Sequence, residues 1–254
     1  MPQSETISPQ RIWARRANRW AFWVARNWIV GFSVLFGVFV GLPFLAPAFM
    51  SLGFVLPAKI IYGMYSFLCH QLPQRSYFLF GGQFTHSLAE INSVWPNTTD
   101  FQVLRQFIGT TEMGWKVAWS DRMVSMYTSI LIFSWLWYAL RKWIRPLPWQ
   151  GLLLFLLPMA LDGFTHMASD LSGIGTGFRD TNLWLQTLTN SAFPVNFYTG
   201  DAWGSINSIL RIVSGVFFGI GAVWFGFPYL DNYFEDYLVR IRKKFEAAGI
   251  SLRA

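Results

Sequence analysis

Apolar residues run almost unbroken over four stretches of this chain, and polar residues gather in the segments between them. No charge interrupts Asn27–Phe49, a run long enough to cross about 30 Å of hydrocarbon. Comparable runs cover Met123–Leu140, Trp149–His166 and Ile209–Phe227. Together they predict four transmembrane helices, spanning about 27–49, 123–140, 149–166 and 209–227. Gly37 and Gly41 on the first, and Gly215 and Gly219 on the fourth, have the spacing that lets helices approach closely. Pro43 and Pro47 are expected to kink or end the first helix, and Pro228 to end the fourth. Ile60–Leu72 is apolar but short, which predicts a re-entrant or interfacial helix closed by Pro73.

Outside these runs the pattern becomes amphipathic. Arg11, Arg15, Arg19 and Arg26 fall on one helical face, with Trp13, Ala17, Trp20 and Val24 on the other, as in a helix lying among lipid headgroups. A signal peptide competes for this segment, but the apolar run that follows exceeds the roughly 7–15 residues of an h-region. Asp231–Ala248 repeats the design, with Phe234, Tyr237, Leu238, Ile241 and Phe245 on one face. Residues 1–10 are polar and read as disordered. Residues 84–121 are mixed, with a short helix expected near Phe101–Ile108. The chain thus divides into a polar tail and interfacial helix (1–26), a four-helix membrane domain (27–230) with loops 84–121 and 167–208, and an amphipathic tail (231–254). The fold class is all-α, a polytopic membrane protein.

Composition narrows the class further. Only 13% of residues are charged while 19% are aromatic, too little charge to coat a soluble globule of 254 residues. The net charge of +7 does not imply nucleic acid, because the basic residues cluster beside apolar runs and point to the lipid bilayer as partner. With four spans, both termini and the turn at Arg141, Lys142 and Arg145 lie on one side and hold thirteen of the twenty basic residues. The positive-inside rule makes that side cytoplasmic, in a multi-pass protein of the cell membrane. A single cysteine excludes an internal disulfide framework.

That topology sends the polar chemistry outward. Cys69-His70, Arg75, His86, Asp121-Arg122, Asp162, His166 and Arg179-Asp180 all fall on the outer side. Asp162 and His166, four residues apart, share a helix face, and Gly163 between them would let another backbone approach. Cys69, His70, Arg75, Arg122, Asp162 and His166 are therefore the candidate site, expected to meet in one cluster, because polar groups at membrane depth persist mainly where they act or satisfy each other.

The string Cys69-His70-Gln71-x-x-x-Arg75-Ser76 resembles the opening motif of a family of small prokaryotic membrane proteins catalogued as a domain of unknown function. Its second element is similar to Ser120-Asp121-Arg122 with Tyr127, a serine replacing the family's cysteine. Its third is similar to Pro158-x-x-x-Asp162-Gly163-x-Thr165, with His166 where glutamine is usual, and Arg211 with Ser214-Gly215 matches its close. The resemblance covers about residues 55–230. It implies architecture and site location, and no reaction.

Several chemistries fit these residues. Zinc takes Cys, His and carboxylate ligands, which makes His70, Asp162 and His166, with Cys69, a candidate set. The plainer reading is a polar cluster that satisfies itself. Arg75, Arg122 and Arg179 have the fork geometry for phosphate, or they pair with Asp121, Asp162 and Asp180. His70 is badly placed as a base for Cys69, since neighbouring helical side chains diverge, so Cys69 reads as structural. Two functions follow: a structural or accessory subunit working beside other membrane-protein subunits, or a small enzyme acting on a lipid headgroup or another phosphate-bearing substrate. A transporter fits least, because no inverted repeat is visible.

Overall fold

The computed structural model describes residues 9–249, so most of the polar stretch expected at 1–10 and the last five residues lie outside it. The chain is mostly helical. Helix α1 (Pro9–Arg26) leads directly into α2 (Trp28–Ser51). Helix α3 (Val55–Tyr65) then turns through a 3-10 segment at Pro73–Arg75 into β1 (Ser76–Leu79). A capping region follows, with α4 (Leu88–Val94), α5 (Phe101–Leu104), β2 (Gly109–Thr110) and β3 (Gly114–Ser120). Then come α6 (Asp121–Leu140), α7 (Trp149–Asp170), the short helices α8 (Phe178–Thr181), α9 (Leu183–Leu188) and α10 (Val195–Tyr198), and finally α11 (Ile206–Ala247).

Helices α2, α6, α7 and α11 are long and apolar enough to cross a membrane, at the four places the apolar runs mark. Helices α6 and α11 form the centre, α2 packs against α6, and α7 packs against α11. The close approach of α6 and α11 comes from glycine. A Cβ on Gly215 would lie 2.1 Å from Ser125 Oγ, and one on Gly219 would lie 2.0 Å from Ser129 Oγ. The corresponding expectation for α2 is not met within this chain, since Gly37 and Gly41 have open space where a Cβ would stand.

Proline also behaves differently from its local reading. Pro43 and Pro47 lie inside α2, and Pro228 lies inside α11, which continues to Ala247 as one helix. A helix in lipid keeps its other backbone bonds, because nothing outside competes for them. The amphipathic tail is therefore an extension of the last span. Its root is tied to the bundle, with Trp28 Nε1 donating to Asp231 Oδ1 at 2.9 Å and Arg141 Nε to Oδ2 at 3.1 Å. Around this root Trp28, Trp137, Val223 and Phe227 form one apolar core, and α1 packs along α11.

The opposite end of the bundle carries the cap. Its small sheet, ordered β1-β3-β2 and antiparallel, was not legible as sheet, either at Ser76–Leu79 or in the mixed 84–121 region that holds β2 and β3. Ile60–Leu72 is also only part helix: α3 ends at Tyr65, and the chain is irregular through Cys69 and His70. In β1–β3 pairing Ser76 stands opposite Ser120. That register sets Arg75, just before β1, beside Asp121 and Arg122, just after β3.

Candidate functional site

Four arginines and four aspartates interlock at the cap end of the helices. Arg122, on the first turn of α6, gives Nη2 to Asp162 Oδ2 at 2.7 Å. Arg179, held by α8, gives Nη2 to the other oxygen of Asp162 at 2.8 Å, Nη1 to Thr165 Oγ1 at 2.6 Å and Nε to Asn207 Oδ1 at 3.0 Å. Arg211, on α11, grips Asp121 through Nε and Nη2 at 2.7–2.9 Å and gives Nη1 to Asp201 Oδ1 at 2.5 Å. Arg75 takes Asp170 through both Nη groups, at 2.7 and 2.8 Å, and gives Nε to Asp201 Oδ2 at 2.7 Å. All of these ion pairs except Arg211–Asp201, ten residues apart, join well-separated segments of the chain, so the lattice fixes the positions of α6, α7 and α11 relative to the loops.

His166 sits inside this lattice. Its Nδ1 lies 3.1 Å from the Asp162 carbonyl and its Nε2 3.5 Å from Asp201 Oδ1. Asp201 stands outside the spans. Burial alone would raise its pKa, but Arg75 and Arg211 outweigh that and hold it well below the usual carboxylate range. For Arg75 burial again opposes the charge, and Asp201 with Asp170 overcomes it, so its pKa is raised.

Of the six residues expected to meet, Arg122, Asp162 and His166 are joined directly. Arg75 belongs to the same lattice through Asp201. His70 borders it, lining a cavity of about 350 Å³ with Arg75, Arg122, His166, Asp170 and Arg211. Leu72 N donates to His70 Nδ1 at 3.1 Å, so the neutral ring carries its proton on Nε2. Burial, then Arg75, Arg122 and Arg211, push the His70 pKa well below that of a free imidazole. Cys69 stands apart. Its sulfur accepts the backbone N–H of Gln71 at 3.4 Å and of Ser120 at 3.3 Å, and it is buried in an apolar core with Tyr62, Tyr65 and Trp119.

The expected ion pairs are redistributed. Arg75 pairs with Asp170 and Asp201, Asp121 with Arg211, and Asp180 caps Gly177 N at 2.9 Å instead of holding an arginine side chain. What approaches Gly163 is the Arg122 guanidinium and not a backbone, with a Cβ there 3.4 Å from Nη1. The proposed zinc ligands do not assemble: among the described residues no three His, Cys, Asp or Glu side chains stand close enough to hold an ion.

Two aspartates escaped the sequence reading. Asp170 follows His166 by four residues, as His166 follows Asp162, and that repeated spacing would have revealed it. Asp201 is a lone acid in a glycine-containing loop and carries no local signal. A third charge, Lys116 on β3, was also overlooked. It is fully buried, and its Nζ donates to the carbonyls of Gln71 at 2.8 Å and Arg105 at 2.7 Å. Burial pushes its pKa down to about 7. The lysine holds Gln71 in a left-handed conformation (φ 53°) that glycine would adopt more readily, directly beside His70.

A multi-pass membrane protein with a charged cap is the class these features define. Residues 110–225 match the family model described as "Predicted membrane protein (DUF2085)", a family of unknown function. The match covers less than half of the chain, from β2 through the membrane-crossing half of α11, and includes Asp121, Arg122, Asp162, His166, Asp170, Arg179, Asp201 and Arg211. No curated protein and no solved structure matches this chain.

Proposed function

We propose that this protein is an accessory membrane protein that holds the anionic head of an amphiphile in its cap cavity, on the outer side of the cell membrane. The carrying observation is the lining of that cavity. Three guanidiniums and two imidazoles face it against a single carboxylate, Asp170. Arg122 Nε is buried without a hydrogen-bond partner, the donor left over after the lattice is satisfied. Each charge-assisted bond to a phosphate oxygen contributes about 1.5–3 kcal/mol. The remaining lining is apolar and exposed at Phe101, Met167 and Leu171, so the head enters the cap while the chains stay in lipid.

Binding is favoured over catalysis by the state of the side chains. Cys69 is buried with two N–H donors on its sulfur. His70 uses Nδ1 as an acceptor and offers Nε2 as a donor, the arrangement of a ligand clamp and not of a general base. The lattice neutralises itself charge for charge, as a structural cap does.

The purified protein in mild detergent should retain phosphatidylglycerol over phosphatidylcholine in native mass spectrometry. Arg122→Gln should lose that preference while remaining folded, since Asp162 keeps its bond to Arg179. Equal retention of both lipids would refute the headgroup reading. Stoichiometric protein partners with no bound lipid would replace it with the assembly-subunit reading.

A further inference from the structure

A second cavity, of about 640 Å³, opens in the cap on the far side of the Arg75–Asp201 pair. The turn at Pro73–Arg75, helix α4, the loop around Gly175 and the Thr199–Asp201 segment enclose it. Its size is that of ligand sites in general. Its chemistry differs from the first cavity: no Lys, Arg or His side chain lines it.

Two side-chain amides in its wall have hydrogen-bonding atoms that the fold does not use. Gln74 is only 2% exposed, yet neither its Oε1 nor its Nε2 has a hydrogen-bond partner. Asn92 donates through Nδ2 to the Thr98 carbonyl at 3.3 Å, while its Oδ1 is buried and unpartnered. A buried polar group left unmade costs about 1–3 kcal/mol, so an idle amide at such depth calls for a partner. Asp180 accepts Gly177 N on one oxygen, its other oxygen has no hydrogen bond among the described residues, and Ser93 and Thr199 add hydroxyls.

We infer that this cavity binds a neutral, hydroxyl-rich ligand of the saccharide class. A sugar hydroxyl both donates and accepts, which is what an amide with two free ends complements. An anion finds no cation here, and Asp201, the other carboxylate in the wall, is already committed to Arg75 and Arg211. Asp180, the one carboxylate in the wall not committed to an arginine, stands amid amides and hydroxyls and suits the acceptance of hydroxyl protons. This inference stands apart from the headgroup reading, because the two cavities have no lining residue in common: Arg75 lines the first and its partner Asp201 the second.

The test uses the full chain in a detergent without a sugar head, since a maltoside would occupy the site. Saturation-transfer NMR is recorded with glucose and with maltose at millimolar concentration, and with ethanolamine and inorganic phosphate as charged probes. Transfer to the protons of at least one sugar is expected, with affinity about tenfold weaker in Gln74→Leu, the loss of roughly two neutral hydrogen bonds. Gln74→Leu should fold, because it removes an unpaired buried amide. Ala89→Trp, at an exposed position in the wall of α4, gives an independent block that leaves the core untouched and should also abolish transfer. Absence of transfer to both sugars in the folded protein, undiminished transfer in Ala89→Trp, or binding of ethanolamine or phosphate in place of sugar would overturn the assignment.

Discussion

Replacing Asp162 with asparagine tests the lattice most directly. The residue is 6% exposed, and its carboxylate is the anchor of two guanidiniums, Arg122 and Arg179. Breaking a buried pair by removing one partner costs about 3–5 kcal/mol, because the surviving charge is stranded. Two features set the expected cost at the lower end. The Arg122 side chain is 17% exposed and regains some water, and Arg179 keeps Thr165 and Asn207. About 3 kcal/mol is therefore expected, a fall in melting temperature of roughly 6–12 °C for a chain of this size. Thermal unfolding in detergent, followed by circular dichroism, measures it. Glu246→Gln, at an exposed position of α11, should stay within about 0.5 kcal/mol. Adding Arg122→Gln to Asp162→Asn should recover part of the loss, with a coupling of about 0.5–3 kcal/mol. If Asp162→Asn is as stable as Glu246→Gln, the lattice does not hold the cap and the reasoning fails.

Three further outcomes follow from the geometry. Gly219→Val drives a Cβ into Ser129 and to 3.0 Å from Ile130 N, and should cost about 1–3 kcal/mol, whereas Gly37→Ala meets open space and should be close to neutral in the same melts. Lys116 binds its proton less tightly folded than unfolded, so between its folded pKa of about 7 and the ordinary lysine value of about 10.4 the unfolded state holds more protons. Stability should therefore rise with pH across that window, and Lys116→Met should flatten the rise; an unchanged slope in the variant would assign it elsewhere. Cysteine placed at Trp143 should react with an impermeant reagent only from the cytoplasm, and at Asn97 only from outside; the reverse pattern would move both cavities to the inner face.

The membrane-crossing helices were legible because hydropathy is a local property: twenty apolar residues in a row have few alternatives to a span. Gly215 and Gly219 were legible for a similar reason, since their spacing on one helix already states that something packs there. Pro228 misled because its local rule assumes water ready to take the freed backbone groups. The cap sheet was hidden by its brevity. β2 has two residues, and β3 is buried at nearly every position, so neither shows the alternation of a half-exposed strand. Lys116 within Trp115–Trp119 even argues against burial until the two carbonyls that receive its ammonium are seen.

The site divides along the same line. Asp162 and His166 announce themselves, a carboxylate and an imidazole one turn apart at the end of an apolar helix. Arg211 interrupts an apolar run as conspicuously, and a charge at that depth needs a partner whether or not a motif contains it. What a sequence cannot state is which carboxylate answers which arginine. Asp201 reaches Arg75 and Arg211 only because α11 starts at the Ser205 cap, whose Oγ accepts Ser208 N at 3.2 Å, and because Asn207 fastens the preceding loop through the carbonyls of Arg179 and Gly200. Asn182 supports the same loop from the left-handed region, donating to the Tyr198 carbonyl at 2.7 Å. These neutral amides fix the loop backbone, and the loop backbone fixes Asp201. The charge pattern of the cap is thus set by uncharged residues, and loosening Asn207 should disturb the Arg75–Asp201 partition between the two cavities as surely as removing either ion.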